Sequence, residues 1–352
     1  MQAIPDVLLF ILVAGGLIFA HELGHFVVAL WRGVRIEEFG LGFPPRLVQL
    51  FTFRGTRITL NLIPFGGFVR PAGEDNPDVP GGLASSSKLT RALVLLAGPA
   101  TNLVIGFLAF SAAFRFAAPD IERVLVTSVN PGSPAAQAGL QPGDLILTVD
   151  GAPVTGIPVL QEAIAARLGS RVLLAVERAG ENLTLELTPR RAPPAGEGPI
   201  GVMLGNPVRQ VPLLEAFGLG ARTAAYQLVE TARLPSRLLQ GQVEPEQARL
   251  TGLKGMYDML SWASEVDQAT LRPFFTLQLV GLISVGLGLA NLLPIPALDG
   301  GRLLFVAFEA VARRRIPPRL EGMAHAVGFT LLMALMLYIT FQDFANPIPL
   351  PR

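Results

Sequence analysis

Four runs of the sequence are long and apolar enough to decide its fold class: about Val7 to Trp31, Ala92 to Ala118, Phe274 to Leu293 and Ala324 to Phe341. About 20 apolar residues in helical conformation cross the hydrocarbon layer of a bilayer. Inside that layer every backbone polar group needs a partner within the protein, so helices are the economical solution. Composition agrees, with 51% hydrophobic and 16% charged residues and a mean hydropathy of +0.49, values too apolar for an ordinary soluble chain. The first six residues carry no Lys or Arg, so the first run reads as a retained spanning helix rather than a signal peptide.

Within that first run lies Phe19-Ala-His21-Glu22-Leu-Gly-His25-Phe26, where titratable side chains are costly and need a reason. On a helix, residues four apart share a face, so His21 and His25 present their imidazoles to one point with Glu22 beside them. Two neutral imidazoles suit Zn²⁺ and leave coordination positions open, while the carboxylate between them can take a proton from a water held there. The chain has three histidines and no cysteine. Any zinc must therefore be held by nitrogen and oxygen. A net charge of +1 without a long basic run gives no footprint for nucleic acid.

The third run breaks at Asn291-Leu-Leu-Pro-Ile-Pro-Ala-Leu-Asp-Gly-Gly301, because two prolines this close cannot both continue a helix. Broken backbone at membrane depth lines a cavity or meets a partner, and this break delivers one acidic side chain, Asp299. If helix one runs inward from Val7, His21 lies roughly 20 Å into a core about 30 Å thick. Helix three also runs inward, so Asp299 reaches the same leaflet as a third ligand. The third histidine, His325, begins the last run with no motif around it and reads as an interfacial or packing residue.

Arginines and a lysine between Arg32 and Arg91, and Arg302 to Arg319, place those loops in the cytoplasm. Both termini then lie outside. Arg57 to Arg70 reads as two short strands around a Pro-Phe-Gly-Gly turn, an apolar hairpin that dips into the bilayer and whose edge can pair with an extended peptide. Asn102, in Ala97-Gly-Pro-Ala-Thr-Asn102, reads as an interhelical hydrogen-bonder. From about Glu122 to Arg190 the composition is that of a soluble α+β domain, with strands near 124–129, 145–149, 171–177 and 183–187 and a helix near 157–168. Pro131-Gly-Ser-Pro-Ala-Ala-Gln-Ala-Gly-Leu-Gln-Pro-Gly-Asp144 with Val149-Asp-Gly151 resembles a bacterial PDZ domain. That resemblance implies either a peptide ligand or a size filter. The expected division is 1–118, an N-terminal membrane core; 119–191, the PDZ-like domain; 192–272, a linker with an amphipathic stretch at Leu213 to Gln240; and 273–352, a C-terminal membrane core.

In this order, His21-Glu-Leu-Gly-His25, Ile63-Pro-Phe-Gly-Gly-Phe-Val69, Ala97-Gly-Pro-Ala-Thr-Asn102, a PDZ-like insert and Asn291 to Gly301 resemble the site-2 protease family of intramembrane zinc metalloproteases (peptidase family M50), in its regulator-of-sigma-E-protease branch. The resemblance implies a polytopic α-helical membrane protein of about four transmembrane helices, with a membrane-associated β-hairpin and an inserted PDZ-like domain, in the bacterial inner membrane with the insert outside. It implies Zn²⁺ on His21, His25 and Asp299, Glu22 as general base, and substrate handling by Gly66, Gly67, Phe68 and Asn291. The implied partners are a transmembrane protein substrate and the lipid bilayer. The chain departs in having one PDZ-like segment where the best-known branch has two, and in lacking a proline after the first glycine of Thr251-Gly-Leu-Lys-Gly-Met256. A PDZ-bearing scaffold and a zinc transporter are the rival readings; a transporter commonly shows internal repeats, and none is visible.

Overall fold

The computed structural model describes residues 5–194, 196–242, 249–270, 272–348 and 350. They divide into two compact units, one made of Met1–Ala113 with Pro212–Arg352 and the other of Phe114–Val211.

The first unit opens with α1 (Asp6–Trp31), then β1 (Ile36–Phe53), β2 (Thr56–Pro71) and α2 (Lys88–Ala117). β1 and β2 form an antiparallel two-stranded sheet that folds back on itself. The start of β1 is used twice: Phe39 pairs with Val69 and with Ile58, and Gly40 with Phe68 and with Thr59. The end of β1 returns along the other side of the first arm of β2, Gln49 opposite Thr59 and Phe53 opposite Thr56. The expected hairpin is therefore corrected. The two arms of Arg57 to Arg70 do not pair with each other; residues 38–41 lie between them. Glu38 fixes this register. It is buried and accepts the Thr59 hydroxyl at 2.9 Å, with Arg70 at 3.3 Å on one flank and Arg57 at 3.9 Å on the other.

The sheet is fastened to α1 by Phe39, whose ring meets those of Phe19 and Phe26 at centroid distances of 5.5 and 4.9 Å. Phe26, Ala29, Val34, Ile36, Ile58, Leu83 and Val94 complete this core. The anchoring rings bracket the His21–His25 turn, so the core sets the distance between the sheet and the motif.

The second unit contains β3 (Ala118–Pro119), β4 (Val124–Val129), α3 (Pro134–Gln137), β5 (Leu145–Val149), β6 (Ala152–Pro153), α4 (Ile157–Ala165), β7 (Val172–Arg178), β8 (Glu181–Leu187), β9 (Val202–Gly205) and β10 (Val208–Arg209). Its main sheet runs β8-β7-β5-β4-β9, with β6 on β5. Leu160 and Ile164 of α4 pack into one core with Val124, Val126, Ile146, Val172, Leu174 and Val176. The boundary expected at residue 191 stops short: β9 adds to β4, and the unit runs to Val211. Pro193-Pro194 is a loop inside the unit, not its end.

The chain then returns to the first unit through α5 (Leu213–Leu239), α6 (Leu253–Thr270), α7 (Phe274–Asn291), α8 (Asp299–Ala312) and α9 (Pro318–Ala345). Among the described residues four helices, α1, α2, α7 and α9, are long and apolar enough to cross a membrane. α6 and α8 were not anticipated, since neither carries a long apolar run. The N-terminus of α6 is held by Asp343 of α9, which accepts from the N–H groups of Gly252 and Gly255 at 2.8 and 2.9 Å.

Candidate metal centre

His21 and His25 stand one turn apart on α1, and Asp299 is the first residue of α8. His21 Nε2 lies 3.0 Å from Asp299 Oδ2, His25 Nε2 lies 3.3 Å from the same oxygen, and the two Nε2 atoms are 3.2 Å apart. Among the described residues these three form the one group of His, Cys, Asp or Glu side chains close enough to share an ion. A zinc tetrahedron with bonds of about 2.0–2.1 Å has edges of about 3.3–3.4 Å, close to the triangle observed. Two nitrogens and one oxygen leave a fourth position.

Both imidazoles are held from behind by α2. His25 Nδ1 donates to the Val94 carbonyl at 2.7 Å, and His21 Nδ1 lies 3.2 Å from the side-chain amide of Asn102. Asn102 is fully buried, and its Oδ1 has no hydrogen-bond partner while its Nδ2 faces His21. An imidazole that offers Nε2 to a metal carries its proton on Nδ1 and needs an acceptor there. Turning the Asn102 amide end for end supplies that acceptor and gives the orphaned oxygen its partner. The site thus fits zinc in its donors, its spacing and its supporting bonds. Pro99 removes one N–H from the α2 ladder in this turn, next to the carbonyls that face α1.

Gly98 leaves open the space next to both Nε2 atoms. A Cβ at this position would lie 2.3 Å from His25 Nε2 and 2.7 Å from His21 Nε2. This role of Gly98 follows from the close crossing of α1 and α2.

Glu22 does not join the ligand triangle. Its Oε2 accepts from the backbone N–H of Val69, 3.1 Å away on the last arm of β2. The outer edge of the sheet therefore lies against the carboxylate between the two histidines. Gly66 has φ of +72°, open to glycine, and a Cβ on Gly67 would come within 2.8 Å of the Gly40 carbonyl. The Gly-Gly pair is explained by backbone geometry at the bend. The Phe68 ring lies under the Arg70 guanidinium, 5.4 Å from its centroid. The Asn291 amide donates to the Leu287 carbonyl of its own helix at 3.0 Å. Beyond the centre, Arg302 pairs with Glu74; burial pushes the Glu74 carboxyl above the usual range against the pull of Arg302.

Two imidazoles and a carboxylate able to hold one ion, with a second carboxylate beside them, are the donor set expected of a zinc-dependent hydrolase. The chain belongs to peptidase family M50, whose model matches residues 9–335. Proteins named "putative zinc metalloprotease" from Agrobacterium fabrum and Campylobacter jejuni are similar along almost their whole length. The first is 32% identical, covering 96% of this chain and 95% of its own. The second is 31% identical, covering 96% and 93%. Among solved structures, the PDZ domain of an SdrC-like protein from Listeria monocytogenes is 26% identical, covering 24% of this chain and 87% of its own, with a TM-score of 0.22. The protein is a zinc metalloprotease, and the scaffold and transporter readings give way to it.

Proposed function

We propose that this protease cuts a peptide bond within the transmembrane segment of another membrane protein, with His21, His25 and Asp299 as zinc ligands and Glu22 as general base. The observation that carries this reading is the meeting of His21 and His25 with Asp299 Oδ2, within 3.3 Å, on elements continuous with helices long enough to span a bilayer. A chemistry that consumes water, placed within such helices, needs a polar cavity and a substrate that enters from the membrane.

When bound, zinc supplies Lewis acidity that polarises the scissile carbonyl and acidifies a water. The rest is done by the chain. Glu22 accepts a proton from the attacking water and returns it to the leaving amine nitrogen. Val94 and Asn102 hold the two imidazoles in the orientation that keeps both Nε2 lone pairs on one point. A substrate helix must open first, because its carbonyls are already bonded within it. The outer edge of β2 at residues 67–69 offers backbone groups to the opened strand directly beside Glu22. The far side of the sheet exposes Leu47, Val48, Leu50, Phe51 and Phe53, which suits contact with lipid.

In this reading α1, α2, α7 and α9 cross the inner membrane of a bacterial cell, and the second unit, with its PDZ-like sequence, lies on the outer side. The free edge of β9 is then the place for an extended peptide of a substrate or a regulator. Co-expression with candidate single-span membrane proteins tests the function. Wild type should release a fragment cut inside the span, and Glu22→Gln should not. Equal fragments from both would refute it.

A further inference from the structure

α9 is largely exposed along its length, and the buried positions in it are Gly328 and Asp343. Gly328 touches the broken segment between α7 and α8: a Cβ there would fall 2.3 Å from the Pro296 carbonyl oxygen. One turn earlier on the same face, His325 Nδ1 accepts the backbone N–H of Ala297 at 2.8 Å. The Phe305 ring of α8 meets the imidazole edge-on, with centroids 5.5 Å apart. α9 therefore grips this segment at two adjacent residues, Pro296 and Ala297, just before the metal-ligand candidate Asp299.

The segment needs an external hold. Pro294 and Pro296 have no N–H to give, and the bonds it makes for itself are few: Ile295 N–H to the Leu293 carbonyl at 2.7 Å and Leu298 N–H to the Ile295 carbonyl at 3.1 Å. Ala297 has φ of +82°, a left-handed conformation that a residue with a Cβ keeps only when its surroundings fix it. The His325 ring supplies such a contact, through the Ala297 N–H. Leu298 follows, and Asp299 begins α8 with its carboxylate on His21 and His25.

We propose that His325 is a positioning residue for the metal centre: by accepting the Ala297 N–H it holds the Pro-Ile-Pro-Ala-Leu segment in the one backbone path that aims Asp299 at the two histidines. α9 then does more than anchor the chain. Its docking fixes the third ligand, so metal retention depends on a helix that contributes no ligand itself. The role belongs to a neutral imidazole, which has a lone pair on Nδ1 when the proton is on Nε2. Nε2 is buried with no hydrogen-bond partner, its nearest acid being Glu321 at 3.9 Å. This inference rests on Asp299 being a zinc ligand, and the experiment separates the two.

The test follows zinc release from the purified, zinc-loaded full chain in detergent, challenged with a chromogenic chelator. His325→Leu should lose zinc roughly tenfold faster than wild type, the scale on which supporting residues of metal sites act, whereas His325→Asn, whose Oδ1 falls near the place of Nδ1, should stay within about twofold. Release from His325→Leu at the wild-type rate overturns the proposal. So does equal acceleration in His325→Asn, which would mean that the ring matters for packing and not for its bond. If His325→Leu does not fold, His325→Ala against His325→Asn makes the same comparison. Asp299→Ala serves as the reference: retention of zinc in that variant removes the ligand reading, and this proposal with it, through a different arm from the one that tests His325.

Discussion

The backbone N–H of Val69 donates to Glu22 Oε2 across 3.1 Å, tying the edge of a β-sheet to the carboxylate of the His-Glu-x-x-His turn. Alternation along a strand directs the N–H of Val69 outward and that of Phe68 inward, toward Gly40. In the proposed reading, an incoming substrate strand would compete with Glu22 for the Val69 donor, and its pairing would release the proposed general base as the scissile bond arrives.

Proline variants separate the two sides of this edge. Val69→Pro removes the donor that Glu22 holds and that substrate would take, and should lower cleavage of every substrate by up to about tenfold, roughly the loss of one backbone hydrogen bond, with zinc still bound. Val69→Ala keeps the N–H and should stay near wild type. Phe68→Pro removes a donor turned into the sheet and should instead lower stability. Cleavage by Val69→Pro at the wild-type rate, measured on detergent-purified enzyme of equal zinc content, would show that the edge does not bind substrate.

Zinc ligation and proton transfer should also come apart. Glu22→Gln is expected to abolish proteolysis and keep its zinc, because Glu22 stands outside the triangle of His21, His25 and Asp299. His21→Ala and Asp299→Ala should lose both. Elemental analysis of the purified variants decides the matter; full zinc in His21→Ala, or none in Glu22→Gln, would reverse the roles.

The meeting of His21, His25 and Asp299 was legible because the rules behind it are local. Four-residue spacing fixes a helix face, and a double-proline break forces a chain to stop where an acid stands. The order of strands was not legible. A period of two identifies a strand but not its partner, and nothing in Glu38 to Leu41 announces that it lies between two arms following it in sequence. The counter-charges Arg57 and Arg70 were visible, and Glu38 between them was the missing signal. Likewise β9 is too short to alternate and follows two prolines, while His325 and Gly98 act through residues that only tertiary packing brings near. Asn102 was seen as needing a buried partner, and that partner is His21.

The topology gives an independent test. With α1, α2, α7 and α9 spanning, Gly73 to Ser87 and Arg313 to Arg319 should face the cytoplasm and Val124 to Leu187 the outside. The chain has no cysteine, so Ser86→Cys reports alone. It should resist an impermeant thiol reagent in intact cells and react after lysis, whereas Thr184→Cys should react in both. Labelling of Ser86→Cys from outside would invert the proposed orientation.

In the second unit, Asp144 is fully buried, and both its oxygens take bonds from Arg178 at 2.7 Å while the Gln141 N–H adds one at 2.8 Å. Burial alone would raise its carboxyl, but the Arg178 guanidinium and that N–H together hold it below the usual carboxylate range. A group lowered on folding contributes stability that is complete above its unfolded value, about 3.9, and that fades as pH falls through the folded value. Hydrogen exchange of the β4 and β5 amides, corrected for intrinsic rates, should thus quicken below about pH 4 in wild type. In Asp144→Asn it should be faster already at neutral pH and change less with acid. An unaltered acid response in Asp144→Asn would assign the sensitivity to other groups.

The closest constraint on the centre comes from α2, through Gly98 and Asn102. Gly98→Ala puts a methyl group 2.3 Å from His25 Nε2, in the space the proposed ion would need. It should abolish zinc retention although the change is a single carbon, and although alanine is the better helix former. Asn102 acts from the other side of His21. Asn102→Asp keeps an acceptor facing Nδ1 and should hold zinc at least as well as wild type. Asn102→Leu fills the space but offers no acceptor, and should weaken zinc binding by about 10–100-fold, the usual effect of removing a bond behind a ligand. Zinc affinity by competition with a chelator, at matched helical content, distinguishes this from a loss of fold. If Asn102→Leu binds zinc as tightly as wild type, His21 is oriented by packing alone and the amide of Asn102 has no part in setting its tautomer.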